Sequence, residues 1–433
     1  MLTRRSFLLF TGTAAGLTTV TVLAQRGRGG AALAGPLPPS LAALTSMRDR
    51  ATPITIGERA NRIERAKQLM GEQKLNAIIL TGGTSLTYFT GIRWGLSERL
   101  FAVVIPRDGA PFVVSPAFEK DRAREQLALG PFEGSDVLTW QEDENPFERV
   151  AQGLKDRRII AGSVGVEETT KFVFADSVGA EAPALRFVSA SPVTAGCRMI
   201  KDAHEIELIR VAGRVTLKCY EAVFKALQPG MTQDEVSRLI DAGYERLGFP
   251  GHASVQVGEY TALPHGSITP QTIREGTIIM IDDGCTVEGY QSDITRTFVL
   301  GKATDKMKKL FDIVHRAQDA ALKAARPGAP LESIDAAARK VIVDAGYGPG
   351  FKYFTHRVGH GLGMDIHEWP YLVKNNMFGW EKALTTKPGM VFSDEPGIYI
   401  PGEFGVRLED DMYVTGNGAE LFTPPSPDIE NPF

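Results

Sequence analysis

The sequence predicts an α+β protein built from two structured units, and three observations carry that prediction. The chain has 433 residues, of which 43% are hydrophobic and 23% charged. That is long enough for two or three domains and too balanced for disorder or a fibrous fold. From about residue 51 to 195, helical periodicity alternates with short apolar runs, the pattern of a compact α/β unit. From 196 onward, long amphipathic helices are grouped around strand-rich segments, which indicates helices packed on antiparallel strands.

Residues 1–34 read as an address rather than as structure. Arg4 and Arg5 precede a weakly apolar run from Ser6 to Ala24, and Ala32-Leu33-Ala34 offers a small-residue cleavage site. The pattern resembles a twin-arginine signal and predicts export, to the periplasm or beyond. A retained anchor is the alternative, but the threonines and glycines in the run make a poor membrane span. No later stretch approaches membrane-spanning length, so no stable membrane insertion is expected once the signal is cleaved. Residues 35–50, which include the proline-rich Pro36–Ser40, are expected to be a linker.

The first unit, 51–195, opens with helical spacing of Ile63, Ala66 and Met70 between Glu58 and Met70. Strands are predicted at Asn76–Leu80, Phe101–Ile105 and Phe112–Ser115. The second unit, 196–425, begins with helices over Ala203–Leu227 and Gln233–Leu247, the latter with Thr232 as N-cap and Gly248 beyond its end. Strand-like sequence follows from Thr277 to Leu300. Helices at about Asp305–Ala325 and Leu331–Ala345 precede more strands from Met390 to Val414, and residues 426–433 are expected to be a tail. The net charge of −4 comes with no basic block, so nucleic acid is not an expected partner. Cys197, Cys219 and Cys285 are too few and too scattered for a disulfide framework or a zinc ribbon.

Chemistry concentrates in the second unit. Asp282 ends the buried-looking run Thr277–Ile281, and Asp293 follows eleven residues later. A hairpin turning between Val287 and Glu288 would set the two directly opposite each other on one face. Glu395 and Glu409 repeat the arrangement about a midpoint at residue 402, inside the turn signal Pro401-Gly402-Glu403. Close, bare carboxylates repel unless a proton or a cation lies between them. Three of the seven histidines, His356, His360 and His367, fall within twelve residues, and His265 adds a fourth in Pro264-His265-Gly266. Taken singly, these features also fit strand-end acids, an oxygen-only calcium site, surface acids or hydrogen-bonded core histidines. Together, four carboxylates and one imidazole suit two divalent cations that generate a nucleophile from water. The oxygen-rich donor set favours manganese, with cobalt or zinc as substitutes.

These residues resemble the pita-bread metallopeptidases: methionine aminopeptidase, Xaa-Pro aminopeptidase and prolidase. Leu75–Ile78 and Leu86-Thr87-Tyr88-Phe89-Thr90-Gly91 resemble the creatinase-type domain of the proline-specific branch, which methionine aminopeptidases lack. The resemblance implies a creatinase-like N-terminal domain followed by a pita-bread catalytic domain. It implies Asp282, Asp293, His360, Glu395 and Glu409 as metal ligands, with Asp293 and Glu409 bridging and Glu395 also shuttling the proton. It further implies His265 and His367 as pocket histidines, His367 stabilising the oxyanion, with His356 and the supporting Arg407 beside them. A peptide substrate and a homodimer or higher homo-oligomer are implied in the same way. Many prolidases carry an Arg directly after the segment that here reads His367-Glu368-Trp369-Pro370, as a cation for the dipeptide's carboxylate. The residue at that place is Tyr371, so an Xaa-Pro aminopeptidase acting on longer peptides is the leading expectation. A prolidase cleaving Xaa-Pro dipeptides, or another amide hydrolase on this scaffold, is the alternative.

Overall fold

The computed structural model describes residues 35–375 and 383–433. The signal expected at 1–34 lies outside the described residues. Among the described residues, no helix is long and apolar enough to cross a membrane.

The first unit is a six-stranded mixed sheet. Its strands are β1 (Leu75–Leu80), β2 (Ala102–Pro106), β3 (Phe112–Pro116), β4 (Asp136–Trp140), β5 (Gly162–Val166) and β6 (Leu185–Ser189), in the spatial order β4-β3-β2-β1-β5-β6. β1 runs antiparallel to β2 and parallel to β5. Every residue of β2 and β3 is buried, because helices cover both faces, and two apolar clusters form around Ile78 and around Ala77. The helix Ile56–Glu72 starts at a capping box in which Thr55 and Glu58 each satisfy the other's backbone N–H.

The second unit opens with the helices Ala203–Phe224 and Gln233–Leu247, each starting at a capping box, Asp202/Glu205 and Thr232/Glu235. Gly248 closes the second at φ 92°, a left-handed position that glycine takes without steric cost. Strands β7 (Gly251–Val257), β8 (Ile278–Val287), β9 (Tyr290–Gln291) and β10 (Arg296–Val299) form one antiparallel sheet. Strands β11 (His360–Gly361), β12 (Glu368–Tyr371), β13 (Val391–Asp394), β16 (Asp410–Val414) and β17 (Ala419–Leu421) form another, in the order β12-β11-β13-β16-β17. A hairpin of β14 (Gly397–Ile400) and β15 (Phe404–Arg407) projects between β13 and β16.

Two expectations about connecting segments are corrected. The stretch 35–50 does not behave as a linker. It contains the helical turn Pro39–Ala42, and Leu41 is fully buried against the second unit. The Ser40 hydroxyl donates to the Ala222 carbonyl at 2.7 Å, and the Met47 N–H to the Leu247 carbonyl at 2.9 Å. The physical reason is that Leu41, Leu44 and Met47 supply apolar surface that covers the two long helices. The C-terminal residues likewise pack: Ser426 and Ile429 are buried, and the Val299 N–H donates to the Ile429 carbonyl at 2.8 Å.

Candidate metal and hydrolytic site

The second carboxylate pair lies as its spacing predicts. β14 and β15 pair Gly397 with Arg407, and β13 and β16 pair Asp394 with Asp410. One register therefore runs through the whole hairpin about Gly402, and Glu395 and Glu409 face each other where the chain passes from one sheet to the next. The first pair differs in register. The turn is Glu288-Gly289, both at positive φ (50° and 94°), and β9 and β10 continue the same register. Asp282 consequently faces Thr295, and Asp293 lies two residues away on the same face. Alternation along a strand keeps both acids pointing one way, so the slip moves the partner without moving the site.

Thr295, unremarked in the sequence, joins the two hairpins. Its hydroxyl oxygen is 2.6 Å from both Asp282 Oδ1 and Glu409 Oε2, and it accepts from Arg407 Nε at 3.1 Å. One hydroxyl proton cannot serve two carboxylates. Without a cation, the second contact therefore needs a proton on a carboxyl. Arg407 also donates to Asp282 Oδ2, to the Tyr399 hydroxyl at 3.0 Å and to the Pro264 carbonyl at 3.0 Å.

All nine predicted site residues line one cavity of about 500 Å³. Ligand atoms of Asp282, Asp293 and Glu409 lie within 4.8 Å of one another, as do those of His360, Glu395 and Glu409, and of Asp293, His360 and His367. His360 Nδ1 faces the Gly361 carbonyl at 3.1 Å, which fixes the proton there and leaves Nε2 free toward Asp293 at 3.6 Å and Glu395 at 3.4 Å. The exposed His367 ring stacks on His360 with centroids 3.6 Å apart. His356 is held by a chain of bonds: Arg407 donates to the Tyr399 hydroxyl, which donates to His356 Nε2 at 2.7 Å, while His356 Nδ1 donates to the Arg357 carbonyl at 2.8 Å.

Burial dominates the electrostatics. Burial, then the Asp282 charge, pushes Asp293 well above the ordinary carboxylate range. Burial, then Asp293, does the same to Glu409. Burial raises Glu395 to about 7 against the opposing pull of Arg407. Burial would raise Asp282 too, but Arg407 and the Thr295 bond outweigh it and hold that carboxyl low. Burial drives His360 well below its usual value and His356 to about 3, with His367 and Arg407 respectively adding to the effect. A neutral imidazole beside carboxylates short of countercharge is a donor set that fits divalent cations.

Sequence reasoning missed four contributors. Thr295 could have been found by strand alternation, two residues after Asp293. Tyr399 lies in the expected hairpin, but only the fold brings it to His356. Asp283 lines the cavity at φ 111°, an unusual backbone state for aspartate. It is held by the Tyr220 hydroxyl on its carbonyl at 3.0 Å and the Ser254 N–H on its carboxylate at 3.2 Å. Arg357 also lines the cavity, with its guanidinium 4.1 Å from the Tyr371 ring centroid.

An ionic network lies behind the His367 segment, and the first unit touches it through Thr84. Arg198 donates to Asp365 and Glu368 at 2.5 Å each, and Lys201 to Glu368 at 2.6 Å. Thr84 of the first unit adds a bond to Asp365 at 2.5 Å. Asp365 and Glu368 flank the segment that carries His367.

Fold and site together define a hydrolase of the metallopeptidase class. Residues 207–416 match the family model for metallopeptidase family M24, and residues 62–200 match the creatinase/prolidase N-terminal domain. The Xaa-Pro dipeptidase of Lactobacillus delbrueckii subsp. lactis is 32% identical over 376 residues, covering 85% of this chain and 98% of the relative. The crystal structure of dipeptidase PepE from Mycobacterium ulcerans superposes with a TM-score of 0.80 at 31% identity, over 88% of this chain and 99% of that one. The X-Pro aminopeptidase from Thermotoga maritima superposes with a TM-score of 0.72 at 26% identity, over 85% of this chain and 99% of that one. The chain belongs to metallopeptidase family M24, whose members use divalent metal ions.

Proposed function

We propose that this chain is an exported Xaa-Pro dipeptidase, holding two divalent cations, manganese foremost, between Asp282, Asp293, His360, Glu395 and Glu409. The observation that carries the dipeptidase reading is Arg357. A dipeptide brings its own carboxylate next to the scissile bond, and a site for it needs a cation there. Tyr371 lacks that charge, but Arg357 lies over its ring and lines the same cavity. This replaces the inference of an aminopeptidase drawn from Tyr371 alone. The greater similarity to relatives named as dipeptidases supports the same reading.

When bound, the cations lower the pKa of water and stabilise negative charge on the carbonyl oxygen. Glu395 accepts the proton of the attacking water and passes it to the proline nitrogen as the C–N bond breaks. His367 and His265, exposed at the cavity mouth, donate toward the substrate, with His367 on the developing oxyanion. Arg407, Tyr399 and His356 act through one another as positioning residues. Residues 1–34 direct export, and the folded chain assembles as a homodimer or higher homo-oligomer.

The test is a product assay on manganese-loaded protein with an Xaa-Pro dipeptide and an Xaa-Pro-Yaa tripeptide in parallel. The dipeptide is expected to be cleaved in preference. Arg357→Met should raise its KM at least tenfold while changing kcat little. Release of the first residue from the tripeptide, with the dipeptide untouched, would restore the aminopeptidase reading. Peptide mass mapping of the secreted protein and its sedimentation mass test the signal and the dimer.

A further inference from the structure

A second cavity, larger than the catalytic one at about 710 Å³, lies between the two units. It shares no lining residue with the catalytic cavity. Four arginines line it, Arg48, Arg59, Arg62 and Arg93, against a single carboxylate, Glu288. They come from three places in the chain: the packed segment before the first unit, two positions on the helix Ile56–Glu72, and the loop after Gly91.

The countercharge in the protein does not match these guanidinium groups. Among them only Arg62 has a carboxylate within ion-pair distance among the described residues, Glu205 at 3.2 Å. Arg62 is 6% exposed and donates to the Tyr88 carbonyl at 3.0 Å and the Tyr290 hydroxyl at 2.7 Å, so only its Nε lacks a partner. Arg59 Nε is also buried and unpartnered, while another of its nitrogens donates to the Ile54 carbonyl. Arg48 donates Nε to the Gly248 carbonyl at 2.6 Å. Arg48, Arg59 and Arg93 thus bring charge to the wall of one cavity with no carboxylate within ion-pair distance among the described residues, and uncompensated charge gathered in one place is costly.

Two glycines make room for the arrangement. Gly91, at φ 79°, lies so close that a Cβ there would come within 3.0 Å of Arg59 Nε. Gly248, at φ 92°, would bring a Cβ within 2.8 Å of Arg48 Cγ. Ile54, Phe249 and Met364 add apolar wall. The volume is that of a small-metabolite site; guanidinium forks match the oxygens of carboxylates and phosphates alike, and four arginines against one carboxylate favour the more highly charged phosphate.

We propose that this interdomain cavity is a binding site for a phosphate-bearing small molecule, separate from the hydrolytic centre. One wall is the Glu288-Gly289-Tyr290 turn of the hairpin that carries Asp282 and Asp293. A second is Met364, three residues before His367, so an occupant touches both segments that shape the catalytic cavity.

The experiment is isothermal titration of manganese-loaded, full-length protein with inorganic phosphate at constant ionic strength. One phosphate per chain is expected to bind, with at least tenfold weaker affinity in the Arg59→Gln/Arg93→Gln double variant. Arg93 is exposed, so Arg93→Gln alone keeps the fold and should weaken binding about threefold if the double variant does not fold. Absence of phosphate binding to the native protein up to about 10 mM would overturn the proposal. So would binding that neither variant weakens, since the phosphate would then lie on the metals.

Discussion

The two units bury comparable apolar cores but treat charge in opposite ways. In the first, the sheet strands are packed with Val, Ile, Leu and Ala, and the buried ionisable groups, such as Arg62 and Glu167, lie at its borders and make hydrogen bonds. In the second, Asp293, Asp394, Glu409, Asp410 and Asp411 are all buried. Only some are compensated: Asp410 pairs with Arg296 at 2.7 Å, while neither carboxylate oxygen of Asp394 has a hydrogen-bond partner among the described residues. A buried carboxylate without a partner must take up a proton or a cation. The first unit is a scaffold, while in the second Asp293 and Glu409 line a cavity whose ligand groups something positive completes.

Four measurements test that contrast. The largest effect is expected for Glu395→Gln, which keeps the side chain's size but removes its proton-accepting charge. Turnover of an Xaa-Pro dipeptide should fall by roughly 10³-fold or more, and near-native kcat would refute the assignment of Glu395.

The next is the pH dependence of stability in metal-free protein. Acids whose folded pKa is raised, Asp293, Glu395 and Glu409, favour the fold only while protonated. Stability should therefore fall as pH rises above the ordinary carboxylate range, through about 7 for Glu395, with Asp293 and Glu409 acting in the same direction. Adding manganese at pH 7.5 should restore the melting temperature, and a flat profile in the metal-free protein would count against uncompensated charge at the site.

A third compares the scaffold. Ile78→Ala, at a fully buried position of β1, should cost about 3 kcal/mol in denaturant unfolding, with kcat per folded molecule unchanged. The smallest effect is expected at a helix start. Thr232→Ala removes a capping-box hydroxyl and should cost about 1 kcal/mol, again without altering turnover.

Much of this was legible because the period of a strand is two residues. The Glu395/Glu409 register followed from a single midpoint at Gly402. The Asp282/Asp293 hairpin turned one position later than its spacing suggested, at Glu288-Gly289, because a non-glycine residue takes up the first left-handed position. Parity nevertheless preserved the face. Helix limits were read closely where a cap residue marked them, as at Thr232 and Gly248. What the sequence concealed were contacts made between distant elements: Thr295 linking two hairpins, Arg357 over Tyr371, and the arginines gathered from three segments around one cavity. Nothing local distinguishes those residues from ordinary surface or strand positions. Residues 35–50 were misread for a related reason, since a short proline-rich segment betrays its packing only when the helices it covers are known.

The Arg198–Lys201–Glu368 network also bears on whether the catalytic unit could be used as a separable module. Both cations precede the first long helix of that unit, which begins at Ala203. A fragment starting at that helix would keep all five proposed metal ligands yet strand Glu368, buried, next to His367. Excision would therefore injure the site from behind while leaving its visible chemistry intact. Engineers who wish to transplant this centre must carry residues 198–201 with it.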